Sequence, residues 1–274
     1  MRVAVIQMTS GPEKRANLAA AKALIERAIE AERPDLVSLP ETFTVLGGGD
    51  AARRAAAEAM PDGEAYRLLQ GLAREHGVNI HGGSFFERRG EGKVANTTVV
   101  FDRRGEEVAR YRKIHLFDIV TPNGDAYRES DYTEPGRDVV TVDLDGVRVG
   151  LAICYDLRFA ELFAALRRQG AELIMLPAAF TLQTGKDHWE VLLRARAIET
   201  QCYVAAAAQI GGFPAGGGTR YTYGNALIAD PWGSVVARVS DRPGHAAATL
   251  DLDYLADVRQ LLPVEQHRRL GAGS

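Results

Sequence analysis

The amino-acid sequence predicts an α/β (α+β) fold, a mixed sheet system with helices packed outside it. Three observations lead there. Short β-branched runs alternate with segments of helical periodicity, several strand pairs close around turn sequences such as Asp145-Gly146, and no Pro/Ser-rich linker divides the 274 residues. Alternating strands and helices build units whose helices cover a sheet, and hairpins add antiparallel strands, so together they give a mixed sheet. The chain reads as one domain over residues 1–274.

The elements follow in order. Residues 3–7 form a β-branched strand closed by a polar turn at 9–12. Leu18, Ala21, Ile25, Ala28 and Ile29 recur at helical spacing and predict a helix over 12–32. Residues 36–39 are a second strand, stopped by Pro40, with Glu41 just beyond its carboxyl end. Tyr66, Leu69, Leu72 and Ala73 mark a helix ended by Gly77, and residues 78–81 return to strand. Strands at 97–101 and 108–111 flank the turn Asp102-Arg103-Arg104-Gly105, and strands at 139–144 and 147–153 flank Asp145-Gly146. Cys154 follows directly, then a helix over 159–168 and a strand at 173–176. A helix over 187–201 leads to a strand at 203–208, and the glycine-rich stretch 211–219 reads as a mobile surface loop. A hairpin of 226–229 and 235–239 around Asp230-Pro231-Trp232-Gly233, a strand at 246–250 and a short helix at 255–262 lead into a polar tail.

Composition narrows the function classes. Hydrophobic residues make up 46% and charged residues 25%, an ordinary globular balance. A formal net charge of −3 with both signs interspersed offers no basic face for nucleic acid. The apolar run 3–6 is too short for a signal peptide, and no stretch approaches the roughly 20 residues of a membrane span. Two cysteines without metal-ligand spacing argue against a disulfide framework and a zinc site, so neither metal nor cofactor is expected. A reducing cytoplasm suits such a chain and leaves a well-placed thiol free to react.

Three reactive side chains share one kind of position. Glu41, Lys113 and Cys154 each follow a predicted strand, and the carboxyl ends of strands are where α/β folds gather side chains around a ligand. A helix amino end after Cys154 and a nearby lysine both favour the thiolate. A cysteine closing an apolar strand is more often a small buried residue, and position alone favours that plainer reading. Cys202 reads as core. Six histidines raise a Cys-His alternative through His115 or His188, but no local signature of such enzymes surrounds Cys154. His76 reads as a helix-end residue. Gly47-Gly48-Gly49 and Gly216-Gly217-Gly218 lack phosphate-cradle spacing and read as flexible loops.

Three blocks taken together resemble the nitrilase, or carbon–nitrogen hydrolase, superfamily. They are Leu39-Pro40-Glu41-Thr42-Phe43, Tyr111-Arg112-Lys113-Ile114-His115-Leu116, and the run from Gly150-Leu151-Ala152-Ile153-Cys154-Tyr155-Asp156-Leu157-Arg158 to Phe159-Ala160-Glu161. All occur in family order. The resemblance implies a four-layer α-β-β-α sandwich of the nitrilase type that dimerises through a helical layer. It maps the family's catalytic residues onto Glu41, Lys113 and Cys154, with a further glutamate at Glu129. Within the superfamily, the segment from His188-Trp189-Glu190 to Tyr203-Val204, with Asp230-Pro231-Trp232-Gly233 and the stretch 262–269, looks most like the deaminated glutathione amidase branch, with ω-amidases the near competitor. Lys186-Asp187 departs from both, which more often carry proline and alanine there.

The implied chemistry is amide hydrolysis of a small molecule through a thioester. Glu41 acts as base and then acid, Cys154 as nucleophile, and Lys113 with the Tyr155 backbone N–H as oxyanion donors. Glu129 either positions water or is a plain loop carboxylate. Arg158 either binds a substrate carboxylate or pairs with Glu161 or Asp156. By resemblance, Phe180 and Thr184 line the same pocket, while Arg194, Arg196 and Glu199 form an ion-pair network on their helix. An N-carbamoyl amino acid hydrolase or nitrilase, a Cys-His hydrolase and a silent binding protein are the alternatives.

Overall fold

Alternate residues of the first strand point into two different cores, and this places every layer. The computed structural model describes residues 1–120, 124 and 126–269, so the end of the polar tail lies outside the described residues. The first half runs β1 (Arg2–Met8), α1 (Lys14–Glu32), β2 (Leu36–Ser38), α2 (Gly49–Ala56), α3 (Glu64–His76), β3 (Asn79–His81), β4 (Phe85–Arg88), β5 (Val94–Phe101), β6 (Glu107–Arg112), β7 (Asp118–Val120) and β8 (Ala126–Arg128). The second half runs β9 (Thr141–Leu144), β10 (Val147–Leu151), α4 (Ala160–Arg168), β11 (Leu173–Met175), α5 (Leu182–Thr200), β12 (Tyr203–Ala206), β13 (Ala208–Ala215), β14 (Gly218–Tyr223), β15 (Leu227–Ala229), β16 (Val235–Arg238), β17 (Gly244–Thr249), α6 (Leu252–Leu261) and α7 (Val264–His267).

One sheet has the order β14-β13-β1-β2-β3-β5-β4, with β17 also paired to β1 and β6 to β5; the other runs β16-β15-β12-β11-β10-β9. Because strand side chains alternate, Val3 and Val5 pack with Val149, Leu151 and Ile174 of the second sheet, while Ala4, Ile6 and Met8 pack under α1 and α3. The second sheet carries α4 and α5 through Phe163, Leu166, Trp189 and Leu193. The layers therefore run α-β-β-α, as expected. β2 pairs parallel with β1 and β3, and β10 pairs parallel with β11, so these strands end at the same side of their sheets.

Several local expectations are corrected. The glycine-rich stretch 211–219 is a hairpin: β13 pairs antiparallel with β14 from Ile210↔Tyr223 to Ala215↔Gly218. Gly216 and Gly217 have φ of +60° and +80°, the left-handed pair that a two-residue type I′ turn requires, so the glycines close strands rather than loosen a loop. Gly47-Gly48-Gly49 leads into α2, with Gly48 at its cap, where no helix was expected. α5 begins at Leu182, five residues before the predicted start, because Thr181 caps it by accepting from the Thr184 N–H. Gly77, with φ +60°, ends α3 as anticipated.

Candidate active site

Glu41 is held by the loop after β2. The Leu39 N–H donates to the His81 carbonyl, the Thr42 N–H to Ser84 Oγ, and the Ser84 N–H to the Pro40 carbonyl. Gly83 allows this close approach, since a Cβ there would lie 2.2 Å from the Pro40 oxygen. Lys113 follows β6, and its N–H donates to the Asn96 carbonyl on β5. Glu129 opens a 3₁₀ turn after β8. Cys154 follows β10 and opens a 3₁₀ turn that runs into α4, its N–H bonded to the Pro177 carbonyl beyond β11. Its φ of +49° is a left-handed conformation that is strained for a non-glycine residue, a kind of strain concentrated at functional sites.

These four side chains line one cleft of about 680 Å³ together with Tyr155, Arg158, Phe180 and Thr184. Lys113 Nζ donates to Glu41 Oε1 at 2.9 Å and to Glu129 Oε2 at 2.8 Å, and all three side chains are buried. Asn96 Nδ2 bridges the same carboxylates at 2.9 Å and 3.3 Å. The other Glu41 oxygen accepts the Ala179 N–H at 2.9 Å, and Glu129 Oε2 also accepts the Phe117 N–H at 2.7 Å.

The electrostatics correct one expectation. Burial pushes the Cys154 thiol well above its ordinary pKa, and the Glu41 charge raises it further, against the pull of Lys113. Burial and the Glu41 charge thus disfavour the thiolate that a nearby lysine was expected to promote. For Lys113, burial lowers the pKa, but the Glu129 and Glu41 charges outweigh it and hold the ammonium well above its usual range. Its charge is spent on two carboxylates, so Cys154 needs a base.

Asp156 ties the elbow to the lysine segment. It is fully buried and accepts from the Ile153 N–H at 2.8 Å, Tyr111 Oη at 2.7 Å and the His115 N–H at 3.0 Å, with His115 Nδ1 at 2.7 Å. Asp156 is therefore not a partner of Arg158. Arg158 Nη1 lies 3.3 Å from His188 Nδ1, and the guanidinium faces the rings of Phe180 at 5.4 Å and Tyr155 at 5.8 Å. His188 thus stands on α5 beside Arg158, and among the described residues no histidine lines the cleft with Cys154. Arg196 pairs with Glu199 at 2.7 Å and donates to the Leu157 carbonyl behind the elbow, whereas Arg194 binds the Gly233 carbonyl and Glu190 rather than Glu199. Cys202 is core, its thiol directed to the Ala171 carbonyl. Among the described residues no cluster of three His, Cys, Asp or Glu has the arrangement of a metal site, and no helix is long and apolar enough to cross a membrane.

Residues 2–260 match the carbon-nitrogen hydrolase family. The chain belongs to that family. This carbon–nitrogen hydrolase is 44% identical over 270 residues to a deaminated glutathione amidase of Synechocystis sp., covering 97% of each chain. Its fold superposes on the crystal structure of the Caenorhabditis elegans NitFhit protein with a TM-score of 0.90 at 39% identity, covering all of this chain and 66% of that one. An amidase of Nesterenkonia sp. AN1 that carries acrylamide on its active-site cysteine gives 0.77 at 28% identity, covering 97% of this chain and 99% of that one. As a family member the protein is a hydrolase of carbon–nitrogen bonds other than peptide bonds.

The structure brings all eight predicted residues of this hydrolase to one cleft, and sequence reasoning missed Asn96 and the bracing role of Asp156. Asn96 lies inside the strand-forming run of β5, where nothing in sequence separates a bridging amide from an ordinary strand residue. Asp156, two residues after Cys154, gave a signal by its place in the third motif block.

Proposed function

We propose that the protein is a cysteine-dependent amidase in which Cys154 attacks the amide carbon of a small carboxylate-bearing substrate. The observation that carries this reading is the Glu41–Lys113–Glu129 chain, buried in the same cleft as a thiol that needs a base. Glu41 takes the thiol proton as the S–C bond forms. Lys113 and the Tyr155 backbone N–H stabilise the oxyanion, and removing such a donor costs about 2.7–4 kcal/mol in the barrier. Glu41 returns the proton to the leaving nitrogen, the C–N bond breaks, and a thioester remains. Water, deprotonated by Glu41 and oriented by Glu129, then releases the acid and restores the thiol.

Arg158 binds the substrate carboxylate beside Phe180 and Thr184. The substrate class is deaminated glutathione or a related ω-amide of a 2-oxo acid, a reading supported by the Synechocystis amidase at 44% identity. On the same reading the chain is one domain and works in the cytoplasm as a homodimer or higher homo-oligomer. A partner copy would cover the exposed Val191 and Ile198 of α5 with Leu261 and Leu262. Sedimentation tests the oligomer. For the chemistry, purified protein is assayed for acid and amine or ammonia release from deaminated glutathione, ω-amides, N-carbamoyl amino acids and nitriles. Release from the first two, abolished in Cys154→Ala, is the expected result; full activity in that variant ends the reading.

A further inference from the structure

Besides Lys113 and Arg158, the cleft is lined by arginines that the proposed chemistry does not use. Arg53, on α2, lines it and places its guanidinium carbon 3.8 Å from the centre of the Tyr132 ring. Among the described residues its Nε is buried without a hydrogen-bond partner, and its ion pair with Asp50 is stretched to 3.9 Å. Arg54 beside it is differently employed: Nε donates to Asp50 at 2.6 Å and Nη1 to the Gly92 carbonyl. Asp50 is thus closely bound by Arg54, which leaves Arg53 with weak compensation among the described residues.

Arg53 also acts near the reacting groups. Burial pushes the Tyr132 phenol up to about 12, with the Glu129 charge adding to the rise and Arg53 and Lys113 opposing it. Tyr132 lines the cleft with Arg53 and with Glu41, Lys113 and Glu129. Arg158 belongs to a different wall, formed by Phe180 and Tyr155. Arg54, Arg128 and Arg220 line the cleft as well, Arg220 over the Tyr127 ring at 4.3 Å, but Arg53 and Arg158 sit on separate aromatic walls, and an undercompensated guanidinium in a partly desolvated wall favours an anionic ligand.

We propose that Arg53, backed by Tyr132, binds a second substrate carboxylate carried on the leaving amine, while Arg158 holds the one on the acyl side. The preferred substrate is then a dianion with a carboxylate on each side of the amide that is cut. Deaminated glutathione has this form: a 2-oxo acid on the acyl side and a glycine carboxylate at the end of the leaving dipeptide. A simple ω-amide of a 2-oxo acid, which releases ammonia, lacks the second charge. This inference rests on the amidase reading above.

The experiment compares kcat/KM for deaminated glutathione and for the ω-amide of 2-oxoglutarate in wild type, Arg53→Gln and Arg53→Lys. In Arg53→Gln the ratio of the two values is expected to fall by about tenfold or more, the loss of a charge-assisted contact, mainly through KM for the dipeptide substrate. Arg53→Lys keeps the charge without the planar fork and recovers part of that ratio. Amidation of the glycine carboxylate should lower the wild-type value by a similar factor and add little to the Arg53→Gln loss. Wild type acting on both substrates, with an unchanged ratio in Arg53→Gln, overturns this inference and leaves the amidase reading standing. Wild type acting on neither overturns both.

Discussion

Lys113 Nζ and Glu41 Oε1 lie 2.9 Å apart, and both side chains are almost wholly withdrawn from water. Removing one member of a buried pair leaves an uncompensated charge, which is costly, and here the lysine serves Glu129 as well. Lys113→Ala is therefore expected to lose amidase activity and also about 3–5 kcal/mol of stability. Urea unfolding of the variant beside Cys154→Ala checks this. If Lys113→Ala were as stable as wild type, the ion pairs would not hold the site together.

Glu41→Gln separates base catalysis from structure. The amide keeps the shape and an acceptor oxygen but cannot take a proton, so turnover should fall by about 10²–10⁴-fold. The thiol should respond in the opposite sense. Burial and then the Glu41 charge raise its pKa, so removing that charge makes the thiolate easier to form. The rate of iodoacetamide alkylation against pH should therefore turn upward at lower pH in Glu41→Gln than in wild type. An unmoved or higher inflection contradicts the assigned electrostatics.

Asp156→Asn tests the brace between the elbow and the lysine segment. Both carboxylate oxygens accept: one takes the Ile153 N–H and the Tyr111 hydroxyl, the other faces the His115 backbone N–H and Nδ1. An asparagine must turn its NH₂ toward one of these pairs, placing donor against donor. The expected cost is about 2–3 kcal/mol of stability, with a drop in kcat. Thermal melts and steady-state kinetics measure both, and normal values for the variant would show that Asp156 does not fix the elbow.

The sequence was most informative where chemistry and strand position coincide. Glu41, Lys113 and Cys154 each lie just beyond the carboxyl end of a strand, and β6 runs in the same direction as β2 and β3 through its antiparallel neighbour β5, which brings Lys113 to the side of the sheet where Glu41 lies. That β1 serves two cores was not legible, because its residues 3–6 are apolar on both faces. What stayed hidden depends on long-range contacts. Asn96 bridges two carboxylates 55 and 33 residues away in sequence, and the thiol of Cys154 is raised first by burial and then by the Glu41 charge, neither of which the local sequence shows. The β13–β14 hairpin was concealed by composition, since Gly216-Gly217 signals a type I′ turn only when its flanks are read as paired strands.

His81 makes the fold acid-sensitive. It is fully buried on β3, with Nδ1 2.9 Å from Ser38 Oγ and Nε2 3.2 Å from Thr98 Oγ1, and no carboxylate faces it among these contacts. Burial lowers its pKa from 6.5 to about 3. Between those values the unfolded chain binds a proton that the folded chain refuses, so stability is full above about pH 6.5 and is lost as pH falls toward 3. The loss approaches about 1.4 kcal/mol per pH unit within that window. His81→Asn lacks the titrating group and should be less stable at pH 7 because it leaves a hydroxyl unpaired, yet its stability should fall less steeply below pH 6. Denaturant midpoints at pH 7, 6 and 5 for both proteins supply the comparison. Parallel slopes would show that His81 takes up its proton in the folded state as readily as in the unfolded chain.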